Sequence, residues 1–230
     1  MLDELRRSAA HVFVDDLDAP ALLDADAHHL GRVLRLRDGE SVTVGDGRGG
    51  WRSCRFLAGG LDLDIDGETR RDPAPVVGIT VGFALLKGDR PELVVAKLTE
   101  LGVDRIVAVV AERAVVRWDD DKAGHGVDRL RRVAREAAMQ SRRLWLPEVA
   151  PLTAVASLSD AALAEPGGRP PSLDRPVVIV GPEGGWTAAE LAGAAATADL
   201  GPQVLRGETA AIAVAVLLTA LRAGLVSPAR

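Results

Sequence analysis

The sequence predicts an α/β protein of two domains, a small and mainly β domain followed by a larger one built on a mostly parallel sheet. In the first 70 residues, the strand-type runs HVFV, SVTVGD, WRSCRFLA and LDLDID are separated by Gly and Asp turns. The polar segment GETRRDPAPV, with two prolines, is typical of a linker. Beyond it, strands alternate with helices, as in a parallel sheet. We therefore expect domains at residues 1–72 and 76–230.

Each predicted element of the larger domain depends on a local signal. The apolar runs VVGITVGFAL, RIVAVV and VVIVG predict buried strands, and AALAEP and DLG predict weaker, shorter ones. The segment DRPELVVAKLTELG predicts a helix that opens with Asp89 and Glu92, spaced as a capping box, and stops at Gly102. An arginine-rich helix is expected over residues 126–143.

Three more helices are expected. DADAHHLGRVLRL is the helical candidate among the first strands. Thr187, with Glu190 three residues on, predicts a capped helix after VVIVG. The Ala-rich segment from Thr209 to about Arg222 predicts the closing helix.

Composition restricts the function classes. The longest apolar stretch is interrupted by Thr219 and Arg222, and the start of the chain is charged, so we expect a cytoplasmic protein without a membrane partner. The single cysteine, Cys54, excludes an internal disulfide and a cysteine zinc cluster, and we interpret it as a small buried hydrophobe. No metal site is expected. The chain contains neither tyrosine nor asparagine, so mechanisms that need either side chain are excluded.

Positive charge is concentrated in two segments of an acidic chain. The net charge is −5, yet six arginines against three acids lie between His28 and Arg55, and six against one between Arg129 and Arg143. This distribution fits a local RNA footprint. The alternative is solvated surface charge combined with the arginine bias of a GC-rich genome.

A literal G-x-G-x-x-G occurs at GDGRGG, from Gly45 to Gly50. A dinucleotide fingerprint must open a helix, whereas the following WRSCRFLA alternates like a strand, so we expect a hairpin turn. Walker A, H-E-x-x-H and G-x-S-x-G motifs are absent, so kinase, metalloprotease and serine hydrolase functions lack support.

Two glycine-containing turns near the end of the sequence are candidate ligand contacts. GPEGGW, Gly181 to Trp186, follows an apolar strand, where open α/β sheets bind ligands, and places Glu183 there. VLRGETAA has Arg206 and Glu208 before an Ala-rich helix, whose N-terminus favours anions. The alternative for GPEGGW is a tight turn with an exposed acid. The alternative for VLRGETAA is that Glu208 and Thr209 simply cap the helix.

The segment AAMQSRRLWLPEV ends the arginine-rich helix with Gln140, Ser141 and Arg143. These polar groups could point into the same crevice or into water.

Taken together and in this order, the segments resemble the RsmE family of SPOUT methyltransferases, which methylate N3 of a uridine in 16S ribosomal RNA. The resemblance runs from AHHLGRVLRLRDGE through ALLKGDRPELVVAKLTELGV, AERAVVRW and QSRRLWLPEV to VVIVGPEGGWTAAEL and LGPQVLRGETAAIAVAVLLTAL. It implies a PUA-like N-terminal β-barrel domain, a C-terminal trefoil knot that binds S-adenosylmethionine (SAM), and a homodimer. The implied partner is 16S rRNA or the small ribosomal subunit.

The resemblance also implies site residues. Cofactor contacts are expected from two loops and the end of AALAEP, with the residues Leu163, Gly181, Pro182, Glu183, Gly184, Gly185, Leu200, Gly201, Leu205, Arg206, Thr209 and Ala210. Arg206, and second Arg143, would stabilise the uracil anion, and Glu208 or Glu183 would accept its proton. RNA contacts are expected from Arg32, Arg35, Arg37, Arg142 and Arg143.

The chain departs from the family pattern at three places. In an expected E-Q-x-G-R, Met139 replaces the acid and Arg142 the glycine; Gly207 replaces the first threonine of L-R-T-E-T-A, and the L-H-P segment lacks its histidine. Two alternatives stay open: a SPOUT enzyme acting on another position, such as a ribose 2′-hydroxyl, and a non-catalytic RNA-binding scaffold. The SPOUT enzymes that act on a ribose have a sequence pattern with an asparagine, and this chain has no asparagine. A non-catalytic scaffold need not bind SAM.

Overall fold

The computed structural model describes residues 2–227, which form two compact units. The first runs up to Pro75 and also includes Glu136–Leu146; the second consists of Val76–Arg135 and the chain from Pro147 onward. The sequence pattern assigns residues 136–146 to the larger domain, but Leu144 and Trp145 pack against Leu5 and Trp51 of the first unit. Periodicity identifies a helix and its end without showing which domain they pack against.

The first unit contains a five-stranded sheet. Its elements are α1 Leu2–Arg7, β1 Ala10–Phe13, α2 Asp24–His28 continuing into a π-helix His29–Val33, β2 Ser41–Gly45, β3 Gly50–Phe56, β4 Leu63–Ile65 and β5 Arg70–Arg71. Strands pair in the order β1-β2-β3-β4, and β5 also pairs with β3. β1 and β2 are parallel, and the other pairs are antiparallel. The predicted strands and helical candidate are confirmed, whereas α1 was not predicted.

The glycines of GDGRGG form the β2–β3 turn, as predicted. β2 and β3 are antiparallel neighbours. The Asp46 carboxylate accepts hydrogen bonds from the backbone N–H of Arg48 at 2.7 Å and of Gly50 at 2.9 Å. These bonds close the turn within the chain, so the motif has no dinucleotide role.

Cys54, on β3, is fully buried and has no disulfide partner. Burial raises the pKa of its thiol to about 11. This agrees with the interpretation of Cys54 as a small core residue, because a protonated thiol is not an activated nucleophile.

A buried polar cluster includes His11 of β1 and Thr43 of β2. His11 is 3% exposed, and its Nδ1 lies 3.0 Å from Thr43 Oγ1. Arg142 donates to the Ser8 carbonyl at 2.7 Å. Burial, with a further contribution from the Arg142 charge, lowers the pKa of His11 to about 4. His11 is therefore neutral in the folded protein at physiological pH.

The stability of the first unit should decrease as pH falls from about 6.5 to about 4. Over this interval His11 becomes protonated in the unfolded chain but stays neutral in the folded chain, because folding lowers the pKa of His11 to about 4. The loss should approach about 3 kcal/mol. Denaturant unfolding followed by tryptophan fluorescence should show the decrease in the wild type and a smaller one in His11→Asn. His28→Asn, at an exposed position, should behave like the wild type. Equal pH dependence in His11→Asn would contradict the assignment.

The second unit contains a parallel sheet. Its elements are β6 Thr80–Ala84, α3 Arg90–Leu101, β7 Arg105–Val110, α4 Asp120–Gln140, β8 Glu148–Val149, β9 Thr153–Ala154, a 3₁₀ turn Val155–Ser157, β10 Ala162–Arg169, β11 Val177–Val180, α5 Ala188–Gly193, β12 Ala196–Ala198 and α6 Gly207–Arg222. Strand order is β12-β10-β11-β6-β7-β8, with β9 also on β7, and all pairs are parallel. The carboxyl ends of β10, β11 and β12 therefore lie at one edge.

Apolar helix faces cover the sheet. Leu98 of α3 and Leu218 of α6 are fully buried in one core with Phe83 of β6. Arg222 anchors the end of α6 by donating to the Asp104 carboxylate and to the carbonyls of Val77 and Gly102. Within residues 2–227, none of the helices is long and apolar enough to cross a membrane.

Several boundaries differ from the predicted ones. The capping box at Asp89 is wrong, because Asp89 makes no side-chain cap and Glu92 pairs with Arg129 at 2.5 Å. The predicted strand at DLG is also wrong, since β12 consists of Ala196–Ala198 and residues 199–201 lie in an irregular segment after it. The α4 helix begins six residues before the predicted 126 and ends at Gln140, and α6 begins at Gly207 rather than Thr209. By contrast, the left-handed stop at Gly102, with φ 95°, and the Thr187–Glu190 capping box are confirmed.

Candidate active site

A cavity of about 380 Å³ opens at the carboxyl ends of β10, β11 and β12. Three stretches of chain form its walls: residues 164–166 in the middle of β10, the loop from β11 to α5, and the loop from β12 into α6. The lining residues are Ala164, Glu165, Pro166, Val180, Gly181, Pro182, Glu183, Gly185, Trp186, Ala198, Asp199, Leu200, Gly201, Gln203, Val204, Leu205, Arg206, Gly207 and Ala210. Its volume lies in the range of small-molecule sites.

The wall after β11 is fixed by Trp186. This side chain is 5% exposed, and its indole N–H donates to the Ala164 carbonyl at 3.0 Å. A Cβ on Gly181 would lie 2.8 Å from the Trp186 ring, closer than real Cβ contacts come. Gly181 is therefore required by the close approach of the indole, which links the loop to β10 at Ala164.

Arg113 supports the same loop. Its guanidinium donates to the carbonyls of Gly184 at 3.2 Å and Trp186 at 3.0 Å. A Cβ on Gly184 would lie 3.2 Å from the Arg113 Cβ, so the glycine allows this approach. The loop is thus attached on one side to β10 and on the other to the segment after β7.

The wall after β12 is shaped by Asp199 and the start of α6. Both Asp199 carboxylate oxygens accept backbone N–H groups, from Gly201 at 2.9 Å and Gly167 at 3.1 Å. Arg206 is the N-cap of α6 without a side-chain capping bond, and it is exposed. A Cβ on Gly207 would lie 2.9 Å from the buried Leu86 side chain. Leu86 thus occupies space that a larger residue at Gly207 would need.

The cavity lining carries more negative than positive charge. The lining contains three acids, Glu165, Glu183 and Asp199, and one basic residue, Arg206. Because backbone donors already occupy Asp199, the carboxylates of Glu165 and Glu183 remain as the acidic groups for a ligand. A ligand that carries positive charge suits this lining.

Glu183 and Glu208 both face Arg90, at the start of α3. Arg90 Nη1 lies 3.9 Å from Glu183 Oε1 and 3.8 Å from Glu208 Oε2. The two acids differ in exposure, because 62% of the Glu183 side chain is accessible but only 16% of Glu208. The Glu208 Oε2 atom is buried without a hydrogen-bond donor among the described residues.

The structure brings most of the predicted cofactor residues together around the cavity. Of the twelve, all but Leu163, Gly184 and Thr209 line it. Leu163 is buried in the core below, Gly184 packs on Arg113, and Thr209 is exposed on α6. Residues that the sequence did not single out, Glu165, Trp186, Asp199 and Gln203, also line it. Part of their signal was available, because Glu165 lies in AALAEP, Trp186 ends GPEGGW and Gln203 lies in the loop from Leu200 to Ala210 that was expected to bind the cofactor.

The predicted catalytic and RNA-binding residues are more dispersed. Arg206 lines the cavity, whereas Glu208 lies outside the lining. Arg143 belongs to the first unit. Arg142 also belongs there, and its guanidinium is engaged with Ser8. The remaining three, Arg32, Arg35 and Arg37, are exposed in or just after the π-helix.

The part of the chain that the structure describes contains no group of three or more His, Cys, Asp or Glu arranged to hold a metal ion.

Comparison with known families assigns the class. The model of an RNA methyltransferase domain matches residues 72–219, and that of an RNA methyltransferase PUA domain matches residues 22–62. The first match contains all of the cavity-lining residues. The predicted SPOUT methyltransferase fold with a PUA-like N-terminal domain is confirmed.

Individual relatives narrow the class. Ribosomal RNA small subunit methyltransferase E of Mycobacterium bovis is 36% identical, over 85% of this chain and 84% of the relative. The Synechocystis protein of the same name is 35% identical, over 87% of this chain and 72% of the relative. A crystal structure of the Neisseria gonorrhoeae enzyme bound to S-adenosyl methionine has a TM-score of 0.79 at 29% identity and covers 92% of this chain and 97% of that one. The chain belongs to the ribosomal RNA small subunit methyltransferase E family.

Proposed function

We propose that this protein transfers the methyl group of SAM to N3 of a uridine in 16S rRNA, free or within the small subunit, in the bacterial cytoplasm. The observation that carries the proposal is the cavity at β10, β11 and β12, which lies inside the RNA methyltransferase match. The crystal structure of the Neisseria gonorrhoeae relative has SAM bound. A shared fold alone would not be sufficient, because function belongs to the site.

The cavity fits the cofactor. Its volume suits a small ligand, and its two loop walls are rich in glycine, which lets backbone groups approach closely. The surplus of carboxylates suits a sulfonium cation. When bound, SAM supplies an activated methyl group with a neutral thioether as leaving group.

The chain's own residues must align the uracil, exclude water and remove a proton. N3 is an imide nitrogen and becomes a good nucleophile only as its proton leaves. We propose Glu183 as the acceptor, because its carboxylate lines the cavity and is accessible, whereas Glu208 lies outside the lining. Arg206 is the cation that would stabilise charge developing on O2 or O4.

RNA binding is proposed for the exposed arginines of the first unit. Arg32, Arg35 and Arg37 are solvent-accessible and lie within six residues of one another in sequence. Because Arg142 is engaged with Ser8, its proposed role is structural. The target uridine must be unpaired or flipped out to reach a cavity of this kind.

Two measurements test the proposed function. Mass spectrometry of 16S rRNA from a strain without the gene should show loss of one N3-methyluridine, restored by the intact gene. Calorimetry with SAM should show binding to the purified protein. A methyl group lost from a ribose would favour the 2′-hydroxyl alternative, and no SAM binding with unchanged rRNA would favour the scaffold.

We further propose that the protein forms a homodimer through α6. Between Glu208 and Arg222 the helix carries no charged residue, and Val216 and Leu217 are 44% and 37% exposed. Ile212 and Ala213, one turn earlier, are partly exposed. An uncharged apolar face on a helix surface is typical of an interface.

Val216→Asp should shift the protein from dimer to monomer in analytical ultracentrifugation, because a carboxylate in an apolar interface would be desolvated without a partner. The control Val33→Asp, at a 60% exposed valine of the first unit, should remain dimeric. A dimer of unchanged stability in Val216→Asp would contradict the proposed interface.

A further inference from the structure

Arg90 occupies a position where its own helix disfavours a positive charge. It is the first residue of α3, and the N-terminus of a helix carries a partial positive charge. Pro91 follows it, as is typical of a first helical turn. A cation at this position therefore has a cause other than helix stability, and breaks of a local rule are expected near functional sites.

The neighbours of Arg90 supply that cause. Its Nη1 lies within 4 Å of two carboxylates that belong to different walls of the cavity region, Glu183 after β11 and Glu208 in the first turn of α6. Without the Arg90 guanidinium, the negative charges of the Glu183 and Glu208 carboxylates would face each other with no cation between them. Glu208 is the more buried acid, and its Oε2 has no hydrogen-bond donor among the described residues, so the Arg90 charge is its electrostatic partner.

We propose that Glu208 and Arg90 form a positioning chain for Glu183: Glu208 orients the Arg90 guanidinium, and Arg90 holds the Glu183 carboxylate at the cavity. Neither residue lines the cavity. Both therefore act through Glu183 rather than on the uracil. The inference rests on the proposed methyl transfer and assigns Glu208 a role other than that of the proton acceptor.

The test is a mutant cycle read out in two ways. Arg90→Gln and Glu208→Gln should each lower kcat for methylation of 16S rRNA by about tenfold, while the Kd for SAM from calorimetry changes less than about threefold. Arg90→Lys should recover part of kcat, since a cation remains. In an E183Q background, Arg90→Gln should cause no further loss, because residues that act as a unit are not additive.

A control on the same helix is Lys97→Gln, which removes a surface ion pair with Glu100 and should leave kcat unchanged. An equal loss from Arg90→Gln in the wild-type and E183Q backgrounds would overturn the positioning chain. So would a loss confined to the Kd for SAM, with kcat intact. Failure of the proposed function can be distinguished from failure of the positioning chain, because in that case the wild-type protein would bind no SAM or would leave 16S rRNA unmethylated.

Discussion

Replacing Glu183 with Gln is expected to lower kcat by about two to four orders of magnitude, the range for loss of a general base. The substitution keeps the size of the side chain and removes its ability to accept a proton. Since the Glu183 side chain is 62% exposed and its Oε1 lies 3.9 Å from Arg90 Nη1, beyond hydrogen-bonding distance, the protein should remain folded. The effect should therefore appear in the chemical step.

Single-turnover methylation of 16S rRNA, with SAM and RNA both saturating, would isolate that step. Glu100→Gln, which removes an acid from a surface ion pair on α3, serves as the control and should react at the wild-type rate. If Glu183→Gln retained the wild-type single-turnover rate, another group or solvent would have to accept the N3 proton. The single-turnover rate of Glu208→Gln should fall far less than that of Glu183→Gln, because Glu208 is proposed to act on Glu183 through Arg90.

Gly181→Ala is expected to weaken SAM binding by about 10- to 100-fold. The added Cβ would lie 2.8 Å from a Trp186 ring that is 5% exposed and hydrogen-bonded to Ala164. Either the ring moves and its hydrogen bond to Ala164 of β10 is lost, or the loop moves. Both displace cavity walls. Overpacking of this kind costs about 1–3 kcal/mol, which as binding energy corresponds to about 5- to 160-fold and so spans the expected loss.

Calorimetry with SAM measures the change directly. Gly193→Ala is the matched control: it adds the same methyl group at the end of α5, where no atom lies within 4 Å of the new Cβ. Its SAM affinity should equal that of the wild type. Wild-type affinity in Gly181→Ala would show that the indole can yield without disturbing the cavity.

The sequence predicted the helices and the longer strands of the larger domain because their signals are local, and it missed the two-residue strands β8 and β9. The apolar run VVIVG, the stop at Gly102 and the Thr187–Glu190 capping box each depend on residues a few positions apart. The capping box at Asp89 failed for the complementary reason. Its spacing was correct, but Glu92 is engaged by Arg129, a partner that local spacing does not show.

The site was predicted in the same uneven way. Motif residues identified the two loops of the cavity, yet Arg90 was missed, because its relation to Glu183 and Glu208 exists only after α3, α6 and the loop after β11 come together. Gly207 is similar. As a departure from the family pattern it had no explanation in sequence, whereas the structure shows the buried Leu86 side chain in the adjacent space.

The two-part composition of the first unit limits how the protein can be divided. Its chain leaves after Pro75, returns for Glu136–Leu146, and leaves again. A fragment that stops at the linker would lack Leu144 and Trp145, and would expose the Leu5 and Trp51 surfaces that they cover. Conversely, a fragment that begins after the linker would present Leu144 and Trp145 to solvent. Isolating either unit therefore requires a permuted or reconnected chain, and a chimera that exchanges the first unit of this protein must transfer both segments.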